Sequence, residues 1–174
     1  MTLMAAIKDV NALAVLAQVS PKSGPEVKKL DYFVGTWTTD GTIPQGPWGA
    51  GGKYSSTDTV EWMSGNFFVL AHSDFKMPPE LGGDGKEIYL MGYDTDQSVY
   101  TFDAFGSQGR HQVSQGTVEG DAWSWTSEAT YDGRDIKQKM TMKILSPASY
   151  SLKFEVSMDG ETWMTFMEGK ATKK

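Results

Sequence analysis

Cysteine is absent from the 174 residues of the sequence, and histidine occurs only twice, as His72 and His111. Without thiols the chain has no disulfides, no thiolate metal sites and no cysteine nucleophile, so its stability must come from apolar burial and backbone pairing. Two histidines cannot supply the three nitrogen ligands of a His₃ zinc site. We therefore expect no metal and no cofactor, and each histidine is predicted to be a hydrogen-bonded wall residue.

Positive charge is also scarce in this sequence. It has 16 lysines and arginines against 22 aspartates and glutamates, which gives a formal net charge of −6. An acidic surface repels phosphate backbones and anionic lipid headgroups. Long apolar runs are missing as well, and none approaches the ~20 residues that a membrane-spanning helix needs. These features predict a soluble protein whose partners include no nucleic acid and which does not insert into membranes.

No known catalytic signature occurs in the chain. Residues 82 to 86 resemble a phosphate-binding loop, but Glu87 follows where that motif needs serine or threonine. The Gly-x-Ser-x-Gly elbow of many serine hydrolases is absent. The catalytic residues, if there are any, therefore stay unknown at this stage.

The N-terminal region, residues 1 to 23, is interpreted as a helical arm and linker. Residues 4 to 17 place apolar side chains at helical spacing. Residues 11 to 17 also resemble the apolar core of a secretory signal, although Lys8 and Asp9 stand where such signals carry net positive charge. We favour a retained arm and a cytoplasmic protein, and export through a degenerate signal sequence stays open as the alternative.

Residues 24 to 174 are predicted to form one β-barrel domain that begins with a short helix. In this helix Val27, Leu30 and Phe33 form an apolar stripe that ends at Gly35. A helix this short has to be stabilised by packing, because isolated short helices are marginal in water. We therefore expect it to pack on the barrel.

From residue 35 onward the hydrophobic period changes to two, and turn residues recur at short intervals. Sequential hairpins without crossover helices predict an all-β, closed antiparallel up-and-down barrel of about 8 to 10 strands, with N-terminal helical segments packed on it. The predicted strands span about 35 to 43, 53 to 62, 67 to 76, 87 to 94, 99 to 105, 110 to 119, 122 to 131, 135 to 145, 149 to 157 and 163 to 172.

The eighth and ninth predicted strands alternate most clearly. Gln138, Met140 and Met142 share a face opposite to lysines, and in the ninth strand the face of Phe154 opposes that of Glu155 and Ser157. One face is thus predicted to be dry and the other wet. The fourth and fifth strands carry apolar residues on both faces, so a helix or an adjoining subunit of a homo-oligomer would cover their outer side.

Four groups of residues carry a family resemblance. They are LDYFVGTW at 30 to 37, GYD at 92 to 94 followed by Tyr100, Asp103 with Gly106, and DGxxW at 159 to 163. The chain resembles the calycin barrels, meaning lipocalins, fatty-acid-binding proteins and their bacterial relatives, and it is more closely similar to the uncharacterised bacterial family DUF1579. The resemblance covers about residues 30 to 170. It implies a calycin-like barrel with no established activity, and many relatives begin with a secretory signal.

The resemblance also implies a closed end for the barrel. In lipocalins the tryptophan of the Gly-x-Trp motif packs at that end under a basic residue from the last strand. Here the tryptophan is Trp37, and Lys170 is the basic residue that could take this role.

Strand parity predicts the mouth of the barrel. In an unbroken meander all odd-to-even connections lie at one end, and the two longest of them are residues 44 to 52 and 77 to 86. Trp48, Met77 and Leu81 give these loops apolar tips. They are interpreted either as a lid over a cavity or as tolerated insertions.

Inward aromatic and methionine side chains predict a cavity that binds a small apolar or amphipathic molecule. A barrel of this size has interior space that side chains need not fill. The candidate ligand-binding residues are Trp37, His72, Tyr93, Trp123, Trp125, Gln138, Met140, Met142 and Phe154.

Three alternatives stay open. The first is a small-molecule isomerase or hydrolyase that uses acid and base groups in the cavity, with Glu61, Asp74 and Glu128 turned inward by strand parity. The second is haem binding, with His72 or His111 as the axial ligand, as in haem-binding calycin relatives such as nitrobindin. The third is a purely structural barrel whose interior is filled by its own side chains.

Overall fold

A short helical segment precedes the barrel in the structure, a computed structural model in which residues 23 to 131 and 133 to 174 are described. Helix α1 (Pro25–Lys28) continues directly into a 3-10 helix (Lys29–Phe33). Pro25 suits the first turn, because its fixed φ is helical and it has no N–H to leave unpaired. The predicted helix before the barrel is confirmed, whereas the predicted arm over residues 4 to 17 lies outside the described residues.

Ten strands follow the helical segment. They are β1 (Gly35–Ile43), β2 (Gly52–Trp62), β3 (Val69–Lys76), β4 (Gly85–Asp94), β5 (Val99–Gly106), β6 (His111–Glu119), β7 (Ala122–Tyr131), β8 (Arg134–Ser146), β9 (Ser149–Ser157) and β10 (Met164–Lys173). A single 3-10 turn (Pro79–Leu81) lies between β3 and β4. Within the described ranges, none of the helical segments has the length and hydropathy to traverse a bilayer.

The strands form one closed antiparallel barrel, as predicted. Each strand pairs with its neighbours in sequence, and β10 pairs with β1 to complete the circle. Gly41 and Gly169 face each other across this closing pair, where a Cβ added to Gly41 would lie 2.6 Å from the Glu168 carbonyl oxygen. Because Gly41 and Gly169 have no side chains, the first and last strands can approach closely here.

The helical segment plugs one end of the barrel. Leu30 and Phe33 are buried there, and the Phe33 ring packs edge-on against Trp123 with 5.0 Å between centroids. The Tyr100 hydroxyl donates a hydrogen bond to the Glu26 carbonyl oxygen at 3.1 Å. Apolar burial and a hydrogen bond from a barrel side chain to the backbone of the segment together hold it in place.

Trp37 lies at this closed end with only 1% of its surface exposed, and its indole N–H donates to the Phe33 carbonyl oxygen at 2.7 Å. The basic residue beside it is Lys173, whose Nζ is 5.2 Å from the centroid of the Trp37 ring. The expectation for Lys170 is wrong, because that residue is exposed and lies an odd number of positions from Lys173, which puts it on the opposite face of β10.

The outer face of β8 and β9 is less exposed to solvent than predicted. Glu155 is 8% exposed and Ser157 is fully buried, so their predicted placement on a solvated face is wrong. The connection after β9 explains this burial. The Gly160 amide donates to the Ser157 hydroxyl oxygen at 2.9 Å, and Lys139, which bridges to Glu155, places its Nζ 4.4 Å from the Trp163 ring centroid.

The outer face of β4 to β6 carries several exposed apolar side chains. Ile88, Phe105 and Val113 are exposed there, and the Phe105 ring stacks on His111 with 4.4 Å between centroids. The expectation that an adjoining subunit covers this face stays a prediction.

Candidate functional site

The barrel contains a cavity of about 300 Å³ at the end opposite to α1. Met77 and Leu81 from the β3 to β4 connection line its rim, together with Gln108 from the β5 to β6 connection. These are odd-to-even connections, so the predicted mouth is confirmed. In the β1 to β2 connection, Trp48 packs edge-on against Phe166, a cavity-lining residue, with 5.2 Å between ring centroids.

One wall of the cavity is apolar and is built by the last three strands. Met140 and Met142 project from β8, Leu152 and Phe154 from β9, and Met167 from β10. Met140 pairs in register with Phe154, and Met142 pairs with Leu152. The predicted dry face of β8 and β9 is therefore the inner face along the cavity. Flexible methionine side chains allow this wall to adapt to differently shaped apolar groups.

The adjoining wall, built by β1 to β4, is polar around Asp58. This residue lines the cavity and is only 6% exposed. The Ser56 hydroxyl donates to Asp58 Oδ2 at 2.8 Å, and Ser73, the register partner of Asp58 on β3, also hydrogen-bonds its carboxyl group. Burial raises the pKa of Asp58, and the two serine hydroxyls partly oppose this by stabilising the carboxylate.

Three tyrosines lie around this carboxyl group. Tyr54, Tyr89 and Tyr150 come from β2, β4 and β9 and all line the cavity. Burial raises the pKa of each hydroxyl, and the charge of Asp58 raises each pKa further. All three therefore stay protonated at neutral pH and offer hydroxyl donors and aromatic faces to a ligand.

The rim carries an ion pair and a hydrogen bond between loops. Arg110 Nη2 lies 2.8 Å from Glu87 Oε2, and Gln108 Nε2 donates to the Gly82 carbonyl oxygen at 2.6 Å. Arg110 is the one lysine or arginine among the described residues that line the cavity. Its charge is thus already partnered by Glu87 at the mouth.

The structure places five of the predicted ligand-binding residues in or beneath the cavity. Met140, Met142 and Phe154 lie together on its wall. Trp123 and Trp125 are buried between this wall and the closed end, stacked on each other with 5.7 Å between ring centroids. The indole N–H of Trp125 has no hydrogen-bond partner among the described residues.

Three other predicted residues lie outside the cavity lining. Trp37 and Tyr93 belong to the packed aromatic group towards the closed end. Gln138 connects to the cavity indirectly, since Ser127 donates to its Oε1 at 3.0 Å and the lining residue Gln112 donates to Ser127 at 3.2 Å. Their contact with a ligand stays a prediction.

Both histidines lie on the outer surface. His72 is exposed between two inward residues, Ala71 and Ser73, and His111 is exposed where it stacks on Phe105. The prediction that His72 contacts a ligand in the cavity is therefore wrong, and neither histidine can act as a haem axial ligand inside the barrel. In the described part of the chain, no group of three or more histidines, aspartates or glutamates is arranged to hold a metal ion.

The predicted inward carboxylates also point the wrong way. Glu61, Asp74 and Glu128 are all exposed, and the carboxyl group inside the barrel wall is that of Asp58. Asp58 could not be predicted from periodicity, because β2 has polar residues on both faces and so lacks the alternation that assigns an inner face. Val60 lies two positions from Asp58 on the same face of β2 and is buried. This apolar residue was the one signal that could have assigned Asp58 to the inner face.

Comparison with known proteins identifies a family and a fold. A family model described as "Protein of unknown function (DUF1579)" matches residues 22 to 173. No curated protein matches the sequence significantly. The chain is similar in structure to Rv2717c from M. tuberculosis, with a TM-score of 0.60 and 11% identity over 87% of this chain and 98% of that one. It is also similar to the S-type phycobiliprotein lyase CPES from Guillardia theta, with a TM-score of 0.56 and 8% identity over 84% of this chain and 91% of that one.

Proposed function

We propose that this chain, which belongs to the DUF1579 family of proteins of unknown function, binds a small amphipathic molecule inside its barrel. The observation that carries the proposal is the division of one cavity into two unlike walls. Apolar side chains of β8 to β10 form one part, and the buried carboxyl group of Asp58 with Tyr54 and Tyr89 on β2 and β4 forms the other, while Tyr150 of β9 adds a third hydroxyl group. A ligand with an apolar body and one polar group would match both walls.

The size and position of the cavity support this proposal. A volume of about 300 Å³ lies at the lower end of the range for small-molecule sites. Every described lining residue falls between Thr39 and Met167, so we assign the binding site to the domain at residues 24 to 174. The phycobiliprotein lyase shares only the fold at 8% identity. The proposal therefore depends on the cavity of this chain.

Binding can be tested with N-phenylnaphthylamine, a neutral apolar dye whose fluorescence rises when it leaves water. The wild-type protein should bind the dye saturably. Met140→Trp places an indole on the cavity wall and should weaken dye binding about tenfold or more, because the larger side chain occupies ligand space.

Lys143→Trp is the matched control, since it adds the same side chain to the exposed outer face of the same strand. This variant should bind the dye as the wild type does. Equal binding by both variants would place the dye outside the cavity, and either this result or the absence of saturable binding by the wild type would contradict the proposed function.

A further inference from the structure

Asp58 is an acid in the barrel interior that has no cationic partner. No lysine, arginine or histidine nitrogen lies within 4.0 Å of its carboxylate in the part of the chain that the structure describes. Its hydrogen bonds come from Ser56 and Ser73, both neutral hydroxyls. A buried carboxylate is costly unless a charge or several strong donors compensate it. A positively charged group entering the cavity would supply that compensation.

The surroundings of Asp58 favour a cation over an anion. Tyr54, Tyr89 and Tyr150 offer aromatic faces and hydroxyl oxygens, both of which attract an ammonium group. Glu87 adds a second acid to the lining, and its charge is offset by Arg110 at the rim. A carboxylate ligand would meet Asp58 without a free cation to receive it.

The position of Asp58 also defines an orientation for the ligand. In the β1 to β2 register it pairs with Trp37, so it lies towards the closed end, whereas the rim carries the apolar Met77 and Leu81. A polar group would thus be bound deep in the barrel, and an apolar chain would extend along the methionine wall to the mouth.

Resting on the proposed function, we propose that the ligand is an amphipathic amine whose protonated nitrogen pairs with the Asp58 carboxylate. The apolar chain packs on Met140, Met142 and Leu152. The recognised class is therefore primary or secondary alkyl or arylalkyl amines. Fatty acids and other apolar carboxylates are excluded by charge.

Three ligands with one chain length test this inference: octylamine, octanol and octanoate, each used at neutral pH to displace bound N-phenylnaphthylamine. Wild-type protein should bind octylamine about tenfold or more tightly than octanol, since hydrogen bonds to charged groups contribute more than neutral ones. Octanoate should bind most weakly. In Asp58→Asn the amine and the alcohol should bind with equal affinity, each obtained from displacement relative to the dye affinity measured for that variant.

Asp74→Asn is the matched control, because it removes the same charge from an exposed position on the outside of β3. It should keep the amine preference of the wild type. Equal affinity for amine and alcohol in the wild type, or an amine preference that survives in Asp58→Asn, would overturn this inference while leaving the proposed function intact. Failure of the dye to bind the wild type at all would overturn both.

Proton release provides a second readout that does not depend on the variant. An ammonium beside Asp58 favours its ionised form, so amine binding should release protons when the pH lies near the raised pKa of this carboxyl. The titratable groups that line the same cavity are Tyr54, Tyr89, Tyr150, Glu87 and Arg110. Calorimetry in two buffers of different ionisation enthalpy should show proton release for octylamine and none for octanol. Identical buffer dependence for both ligands would contradict the pairing.

Discussion

Asp58 and Glu155 are two buried acids on opposite faces of the barrel wall, and their pKa values move in opposite directions. Burial raises the pKa of Asp58 on the inner face. Burial also acts to raise the pKa of Glu155 on the outer face. Hydrogen bonds and positive charge from Lys153 and Lys139 outweigh this effect and lower the pKa overall. The two acids should therefore affect folding stability at opposite ends of the pH range.

Asp58→Asn should stabilise the ligand-free protein at neutral pH. The folded state binds the Asp58 proton more tightly than the unfolded chain does, so the stability from this group is present in acid and lost as the pH rises through the folded pKa. Urea unfolding over a pH series should show a gain in the free energy of unfolding that shrinks as the pH falls. A destabilised variant at neutral pH would show that the charge of the Asp58 carboxylate is already stabilised by its surroundings in the ligand-free protein.

Glu155→Gln should have the reverse effect. The lowered pKa of Glu155 means that its contribution to stability is present above the pKa of the unfolded chain and is lost as the pH falls through the folded pKa. The variant should be less stable than the wild type at neutral pH, with a difference that disappears in acid. The same urea series measures it, and a loss that is constant with pH would indicate a packing effect instead.

Two features close the barrel of ten paired strands: the helical plug at one end, and the pairing of β1 with β10. Leu30 is fully buried in the plug. Leu30→Ala should therefore lower the free energy of unfolding by about 2 to 5 kcal/mol through lost burial and the cavity left behind. The neighbouring exposed Lys29→Ala should change it by less than about 0.5 kcal/mol. Equal effects in chemical unfolding would mean that the plug does not contribute to the cooperative core.

Gly41 tests the closing pair of strands. Its added Cβ would meet backbone atoms, with the Glu168 carbonyl oxygen at 2.6 Å and Gly169 Cα at 3.2 Å. Backbone atoms cannot rotate away, so Gly41→Ala should cost about 1 to 3 kcal/mol. Gly106→Ala is the control, because there the nearest atom is Arg110 Cβ at 3.5 Å. Matching midpoints for the two variants in urea would show that β1 and β10 can separate without cost.

The residues that carry the family resemblance serve structural roles in these elements. Asp31 in the first motif accepts a hydrogen bond from the Trp62 indole at 2.8 Å. Asp94 accepts hydrogen bonds from the backbone amides of the turn that follows it, at 2.9 and 3.0 Å. Asp159 does the same in its own turn, at 2.7 and 2.8 Å. These three aspartates stabilise the helical plug and two turns, which explains why their motifs predicted the barrel.

The strands themselves differed in how far their sequences could be interpreted. In β8 and β9 the strict alternation of apolar and polar residues was enough to assign Met140, Met142 and Phe154 to the interior. In β2 both faces are polar, and parity assigned Glu61 inward when Asp58 is the buried acid. Periodicity reports the face that is apolar, so an inner face that is itself polar, as a binding site often is, gives no periodic signal.

At the scale of the whole molecule, the barrel is closed at one end and open at the other. We therefore expect the two ends to have different roles, one in stability and the other in ligand binding. The closed end contains Trp37, Phe33 and the helical plug, which supply the packed core. The cavity opens at the other end, and its apolar wall extends from the mouth towards Asp58, which lies deep in the barrel. Substitutions at the closed end should change stability, and substitutions on the cavity wall should change binding.

A crystal structure of the protein with octylamine would show whether the amine nitrogen pairs with Asp58 inside the barrel. We expect the ligand inside the barrel, with its nitrogen about 3 Å from a carboxylate oxygen of Asp58 and its chain along Met140 and Met142. An amine bound on the outer face, or one inside the barrel with its nitrogen at the rim beside Glu87 and Asp58 left unpaired, would contradict this expectation.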